Sequence, residues 1–178
     1  MNYYLADTHF GHANIIRLCN RPFEDVYEMN EMIINNWNET VLPEDDVYIV
    51  GDFAHKNGNP VSILRRLNGN KHLIIGNHDL ANLKDSDFRA EFTEIRDIQS
   101  VHDGDVKIIL CHYPMAEWAG YYRDAWHFFG HIHNSDSTAQ KIMKELPRCF
   151  NVGVDLINFT PKTLEQLMEM KNNQTSQI

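Results

Sequence analysis

The chain has 178 residues, 43% of them hydrophobic, which suits one soluble globular domain and excludes a disordered chain. Its formal net charge of -9, from 25 acidic against 16 basic residues, excludes nonspecific coating of nucleic acid as the main task. Ten histidines, set among many aspartates and asparagines, point instead to bound transition metal. Cys19, Cys111 and Cys149 are widely spaced and form no CxxC pair, so no disulfide framework is expected. With no signal-peptide pattern at the N-terminus and no apolar run of bilayer length, a cytoplasmic protein with no membrane partner is expected.

In chain order, short β-branched and aromatic runs mark buried strands at Tyr3 to Ala6, Val47 to Val50, Leu73 to Ile75, Val106 to Leu110, Trp126 to Phe129 and Phe150 to Val154. Between the first two, Val26, Met29, Ile33 and Trp37 space one apolar stripe along a helix whose other faces are acidic. Pro22 to Asp46 contains no lysine or arginine, and this run reads as a solvated helix face. A second helix is expected near Pro60. A last one is expected near Thr160, with Thr160 as N-cap and Pro161 at the first helical position. Strands alternating with helices argue for an α/β fold with mainly parallel pairing, as a single domain over 1–171 followed by a frayed polar tail at 172–178.

The residues that can carry chemistry stand at the ends of these strands. Asp7-Thr8-His9, Gly51-Asp52, Gly76-Asn77-His78-Asp79, His112 and Gly130-His131-Ile132-His133 each come directly after an apolar run. Ligands of open α/β sheets bind outside the carboxyl ends of strands, so these distant segments can converge. Asp7-x-His9 and His131-x-His133 are expected to place both side chains on one side of an extended backbone, where they can chelate one centre or two adjacent ones. Oxygen and imidazole donors without thiolate suit manganese, iron, zinc or nickel. By residue frequency, Gly-Asn-His-Asp arises by chance in about one chain in two thousand of this length, and Gly-His-x-His in about one in two hundred. Their joint occurrence, each after a strand, is therefore informative.

These five blocks, Asp-x-His, Gly-Asp, Gly-Asn-His-Asp, His and Gly-His-x-His, resemble the pattern of the calcineurin-like metallophosphoesterase superfamily. The resemblance spans Asp7 to His133. It implies a four-layer αββα sandwich with mixed, largely parallel sheets and a dinuclear site at the strand ends. Asp7, His9 and His133 would hold one metal, Asn77, His112 and His131 the other, and Asp52 would bridge them. His78 would assist the leaving group, with Asp79 accepting from its imidazole to orient it. The implied cofactors are two divalent ions, manganese first, with iron, zinc or nickel as alternatives. The implied reaction is hydrolysis of a phosphodiester or phosphomonoester, small or nucleotide-type, by attack of metal-bound hydroxide. Two cations, offset by Asp7, Asp52 and a hydroxide, leave a net charge of about +1 to attract phosphate despite the acidic total.

The alternative is a noncatalytic interaction scaffold that keeps this fold; intact donors and His78 weigh against it. A metallo-β-lactamase relative would need a His-x-His-x-Asp-His cluster, which the chain lacks. His12 and His55 come three residues after metal blocks and, with Arg21 and Arg123, are candidates for binding substrate. The segment from Tyr113 to Arg123 reads first as a loop packed on the domain and second as a base-stacking platform. His72 and His102 read as surface residues, and His127 as a packed core histidine.

Overall fold

The computed structural model describes residues 1–175. Two four-stranded sheets carry the fold. In the first, β1 (Asn2–Leu5), β2 (Asp46–Ile49), β3 (Asn70–Ile74) and β4 (Glu94–Arg96) lie side by side in chain order, all parallel. In the second, β5 (Ile98–Asp103) and β6 (Val106–Cys111) form an antiparallel hairpin, and β7 (Trp126–Phe129) and β8 (Cys149–Asn151) extend the sheet in parallel. The helices are α1 (Ala13–Leu18), α2 (Val26–Thr40), α3 (Pro60–Leu64), α4 (Ser86–Ala90), α5 (Thr138–Glu145) and α6 (Leu164–Thr175). The result is an α/β, four-layer αββα sandwich with mixed, largely parallel sheets.

The two sheets meet through side chains of alternate residues, as the period of two in a strand requires. Between the sheets the Tyr4 ring, stacked on Tyr48 at 5.4 Å, meets Phe128 edge-on at 5.0 Å. Ile108, Leu110 and Phe150 stand on the same face of the second sheet as Phe128. Leu5, Ile49 and Leu73, one residue out of phase with Tyr4, Tyr48 and His72, point with Val47 to the other face of the first sheet. The intervening residues of the second sheet, Ile109, Phe129 and Cys149, pack on its other face against Met143 of α5 and Trp118. Both faces are covered, which is why these strands read as continuous apolar runs. On α2 the expected stripe is buried at Met29, Ile33 and Trp37, burial that contributes about 1.5–3 kcal/mol per side chain. Asp25 caps this helix by accepting from the Glu28 N–H at 2.8 Å.

A seam joins β1 to the end of β8: the Ala6 N–H donates to the Val152 carbonyl at 2.8 Å, and the Val154 N–H to the Ala6 carbonyl at 3.0 Å. The carboxyl ends of strands from both sheets therefore open on one rim.

Several expectations change. β4 and β5 carry no apolar run: as edge strands they are half-buried to exposed, with Val101 alone among their residues buried. The last helix starts at Leu164, because Lys162 bridges to Tyr4 in extended backbone and Thr163 is the cap; the Gln166 N–H reaches its Oγ1 at 3.4 Å and Gln166 Oε1 accepts from the Thr163 N–H at 3.0 Å. That helix continues through Thr175, past the expected start of the tail; residues 176–178 lie outside the described residues.

His72 is buried, with its ring stacked on Tyr48 at 4.6 Å and Nε2 2.9 Å from Asp46 Oδ1. His127 is a buried core histidine, and burial pushes it down to about 4. His102 is exposed. All three cysteines are buried and free, and no helix among the described residues is long and apolar enough to cross a membrane.

Candidate metal centre

The chain does not leave the strands in extended form. Asp7, His9, Asp52, His131 and His133 all sit in the left-handed region, at φ 58°, 49°, 55°, 71° and 47°. This overturns the expected period-two geometry of Asp7-x-His9 and His131-x-His133. Each such residue costs about 1–3 kcal/mol and persists only where its surroundings impose the conformation. Here cross-loop hydrogen bonds impose it: the Asp7 N–H donates to the Gly51 carbonyl and the His9 N–H to the Asp52 carbonyl, both at 3.0 Å. At Gly51 a Cβ would collide with the His112 ring, and at Gly76 with the Asp52 carboxylate, so both loops need glycine for close approach.

These turns bring all seven expected metal donors together in two groups. The ligand atoms of Asp7, His9 and His133 lie within 4.8 Å of one another, as do those of Asp52, His112 and His131. Asn77 Oδ1 joins the second group, 3.2 Å from His112 Nε2 and 3.1 Å from His131 Nδ1. Asp52 lies between the groups, with Oδ2 3.6 Å from His9 Nε2 and 3.4 Å from His112 Nε2.

The electrostatics fit a cation. Burial pushes Asp7 up to about 6. Burial acts in the same sense on Asp52, but its hydrogen bond and attraction to His112 win and hold it down at about 2. His112 is raised in turn, despite burial, by Asp52 and Asp7. His9 is pushed down to about 2 by burial and so stays neutral, and its buried Nε2 has no hydrogen-bond partner. An orphaned imidazole nitrogen facing buried carboxylates fits a cation better than it fits a closed apolar core.

Asp155, which sequence reasoning missed, supports this centre. Its Oδ2 lies 2.9 Å from His133 Nδ1, so the Nδ1–H donates to the carboxylate and Nε2 is left for a metal. Burial opposes a proton on His133, yet the hydrogen bonds to Asp155 and Cys19 raise it to about 10, so a cation at Nε2 would have to displace a proton there. A signal existed: Asp155 comes directly after the apolar run Phe150 to Val154, just as the other donors come after theirs.

Arg21 is corrected from a substrate contact to a buried brace. Its Nε donates to Asp155 Oδ1 at 2.7 Å, and its Nη atoms donate to the carbonyls of Asp7 and Thr8 at 2.7 and 3.0 Å. Asp79 is also corrected. It does not hold the His78 ring; its carboxylate accepts the backbone N–H groups of Gly76, Asp52 and Phe53 at 2.8, 2.9 and 2.9 Å. It thereby ties the loop after β2 to the loop after β3, and burial pushes it up to about 6.

His78 is exposed beside the donors. Its N–H donates to Asp52 Oδ1 at 2.8 Å, and its ring lies 5.2 Å from that of His9. His12 and His55 stack on each other at 5.3 Å and line a cavity of about 380 Å³ with His9 and His78. Arg123 is exposed in a 3₁₀ turn at Tyr121–Arg123 and lines neither cavity at the donors. Its segment packs on the domain: Trp118 Nε1 donates to the Ala125 carbonyl at 2.9 Å and its ring meets Tyr121 at 4.8 Å.

No family model matches the sequence. A novel archaeal phosphodiesterase shares the fold, with a TM-score of 0.51 at 19% identity over 85% of this chain and 81% of its own. The protein of unknown function AQ665 from Aquifex aeolicus superposes with a TM-score of 0.75 at 25% identity, covering 96% of this chain and 98% of its own. The uncharacterized protein MJ1445 of Methanocaldococcus jannaschii is 34% identical over 171 residues, 94% of this chain and 89% of that one, and the chain belongs to the family of MJ1445.

Proposed function

We infer that the chain is a dinuclear-metal phosphoesterase of the calcineurin-like type, hydrolysing a small or nucleotide-type phosphodiester or phosphomonoester. The observation that carries this reading is the placement of Asp52 between two groups of imidazole, carboxylate and amide donors at the strand ends. The fold shared with an archaeal phosphodiesterase supports it.

Asp7, His9 and His133 would hold one ion and Asn77, His112 and His131 the other, with Asp52 donating to both. Two divalent ions, manganese first, would when bound supply Lewis acidity to activate water and charge to neutralise the phosphoryl oxygens. Hydrolysis forms a bond from water oxygen to phosphorus, breaks the bond from phosphorus to the leaving oxygen, and moves one proton from water to the leaving group. His78 would deliver that proton, a role supported by its exposure beside the donors and by a ring that makes no hydrogen bond among the described residues. Asp79, Arg21 and Asp155 act on the loops and on His133, not on substrate.

The test is metal content together with turnover of bis(p-nitrophenyl) phosphate in manganese. Two ions per chain with hydrolysis that a chelator abolishes is the expected result. Stoichiometric metal with no turnover across a panel of phosphoesters would overturn it in favour of the noncatalytic scaffold.

A further inference from the structure

The donors are flanked by two unlike cavities. The one of about 380 Å³ shares His9, Asn77 and His78 with the centre and continues over His12, His55, Lys56 and Lys84. No carboxylate lines it, in a chain whose net charge is -9. Lys56 and Lys84 are exposed and make no ion pair or side-chain hydrogen bond among the described residues. Arg65, Arg66, Arg96 and Lys141 at the surface find carboxylates and exposed Arg17, Arg123 and Lys144 do not, but of all these cations only Lys56 and Lys84 line a cavity at the donors.

The imidazoles in this wall are also placed to donate. Asn57 N–H donates to His55 Nδ1 at 3.3 Å, which leaves the proton of the neutral ring on Nε2. His12 Nδ1 is buried without a partner. The second cavity, about 450 Å³, lies along Ile15, Leu18, Ile132 and Asn134 and is lined by no lysine or arginine.

We propose that the cavity of His12, His55, Lys56 and Lys84 receives a second phosphate of the substrate, so that the preferred substrate carries two neighbouring phosphates, one at the metal donors and one between the two lysines. The second cavity, where Ile15, Leu18 and Ile132 stand beside the histidines of the centre, takes the remaining organic group. Two cations with no carboxylate partner, held beside a centre that already attracts phosphate, form a site for a dianion, and ammonium groups bind phosphate as point charges. This proposal deepens the phosphoesterase reading and rests on it for the position of the first phosphate.

The test compares ADP with AMP as ligands of the manganese-loaded protein, by calorimetry and by inhibition of bis(p-nitrophenyl) phosphate hydrolysis. ADP is expected to bind at least about tenfold more tightly than AMP, and the ratio is expected to collapse toward one in the double variant Lys56→Ala, Lys84→Ala. Lys56→Arg with Lys84→Arg should keep the preference, and circular dichroism of each variant reports its folding. Titrations run at a fixed free manganese concentration keep chelation by ADP out of the parent's ADP-to-AMP ratio, and comparison with the variants in the same solution removes it from the change in that ratio. Equal affinities for ADP and AMP in the parent, or a preference that survives the double alanine variant, would overturn the proposal. Hydrolysis of the model diester without any ADP preference would leave the phosphoesterase reading standing and remove this one. An ADP preference that depends on the lysines, in a protein that turns over no ester, would do the reverse.

Discussion

Two sets of polar side chains surround the strand ends, and they differ in what they touch. The side chains of Asp79, Arg21 and Asp155 are sealed from solvent: Asp79 bonds backbone alone, Arg21 bonds backbone and Asp155, and Asp155 bonds Arg21 and His133. His78, His55, Lys56 and Lys84 line an open cavity and hold few partners. The buried set fixes loops in a conformation that the chain alone disfavours, and the open set is left to meet a ligand. Substitutions should separate the two: changes in the buried set should cost stability and metal together, and changes in the open set should cost turnover or specificity alone.

The largest effect is expected at Asp79. Asp79→Ala leaves the N–H groups of Gly76, Asp52 and Phe53 buried without an acceptor. At about 1–3 kcal/mol for each group, the loss of stability should reach about 3–9 kcal/mol, a large share of what a domain has. Urea unfolding measures it. Because this variant can fail to fold, Asp79→Asn, which keeps the volume and one acceptor oxygen, provides a milder step. If Asp79→Ala unfolds at the same urea concentration as the parent, the loops hold without this clamp.

Asp155 comes next. Asp155→Ala strands a buried Arg21 guanidinium and should cost about 3–5 kcal/mol. Asp155→Asn keeps an acceptor oxygen for His133 but loses the charge opposite Arg21, and metal affinity should fall about 10- to 100-fold. Competition with a chelator reads this directly. Unchanged affinity would show that His133 needs no brace to reach a metal.

His78 belongs to the open set, and the expected pattern inverts. His78→Ala should keep both ions and stability within about 0.5 kcal/mol, because an exposed ring without hydrogen bonds supports little. Turnover should fall about a hundred- to ten-thousandfold, most for esters with poor leaving groups. Equal rates for parent and variant on a poor leaving group would remove His78 from proton transfer.

How much of this was legible in the sequence depends on the range of each interaction. The convergence of the seven candidate metal donors was legible because each sits at the end of a buried apolar run, so both signals are local. The braces were not. Arg21 meets Asp155 across 134 positions in the chain, and only the seam between β1 and β8 brings them together. Asp79 misled through proximity: its neighbour in sequence is His78, but the 3₁₀ turn Asp79–Lys84 folds the carboxylate back on the Gly76 N–H. The edge strands β4 and β5 lacked an apolar pattern, although Asp103-Gly104, with Gly104 at φ 57°, is a hairpin signal that the sequence did contain. The left-handed backbone at Asp7 and His9 is imposed by β2's loop and has no local cause.

The smallest effect is expected at Arg123, the residue for which sequence position and structure disagree most about function. It stands a short aromatic segment after His112, which made it a candidate for phosphate. The segment's buried anchor, however, is Trp118, packed against Ala125 and Tyr121 on the outer face of the second sheet, and Arg123 is carried along on an exposed turn. Arg123→Ala should therefore change stability by no more than about 0.5 kcal/mol. Activity on bis(p-nitrophenyl) phosphate and the ADP-to-AMP preference should both stay at the parent's level. A large loss of either, with stability intact, would mean that this turn moves toward the strand ends when substrate binds, and the anion-binding wall would then extend beyond Lys56 and Lys84.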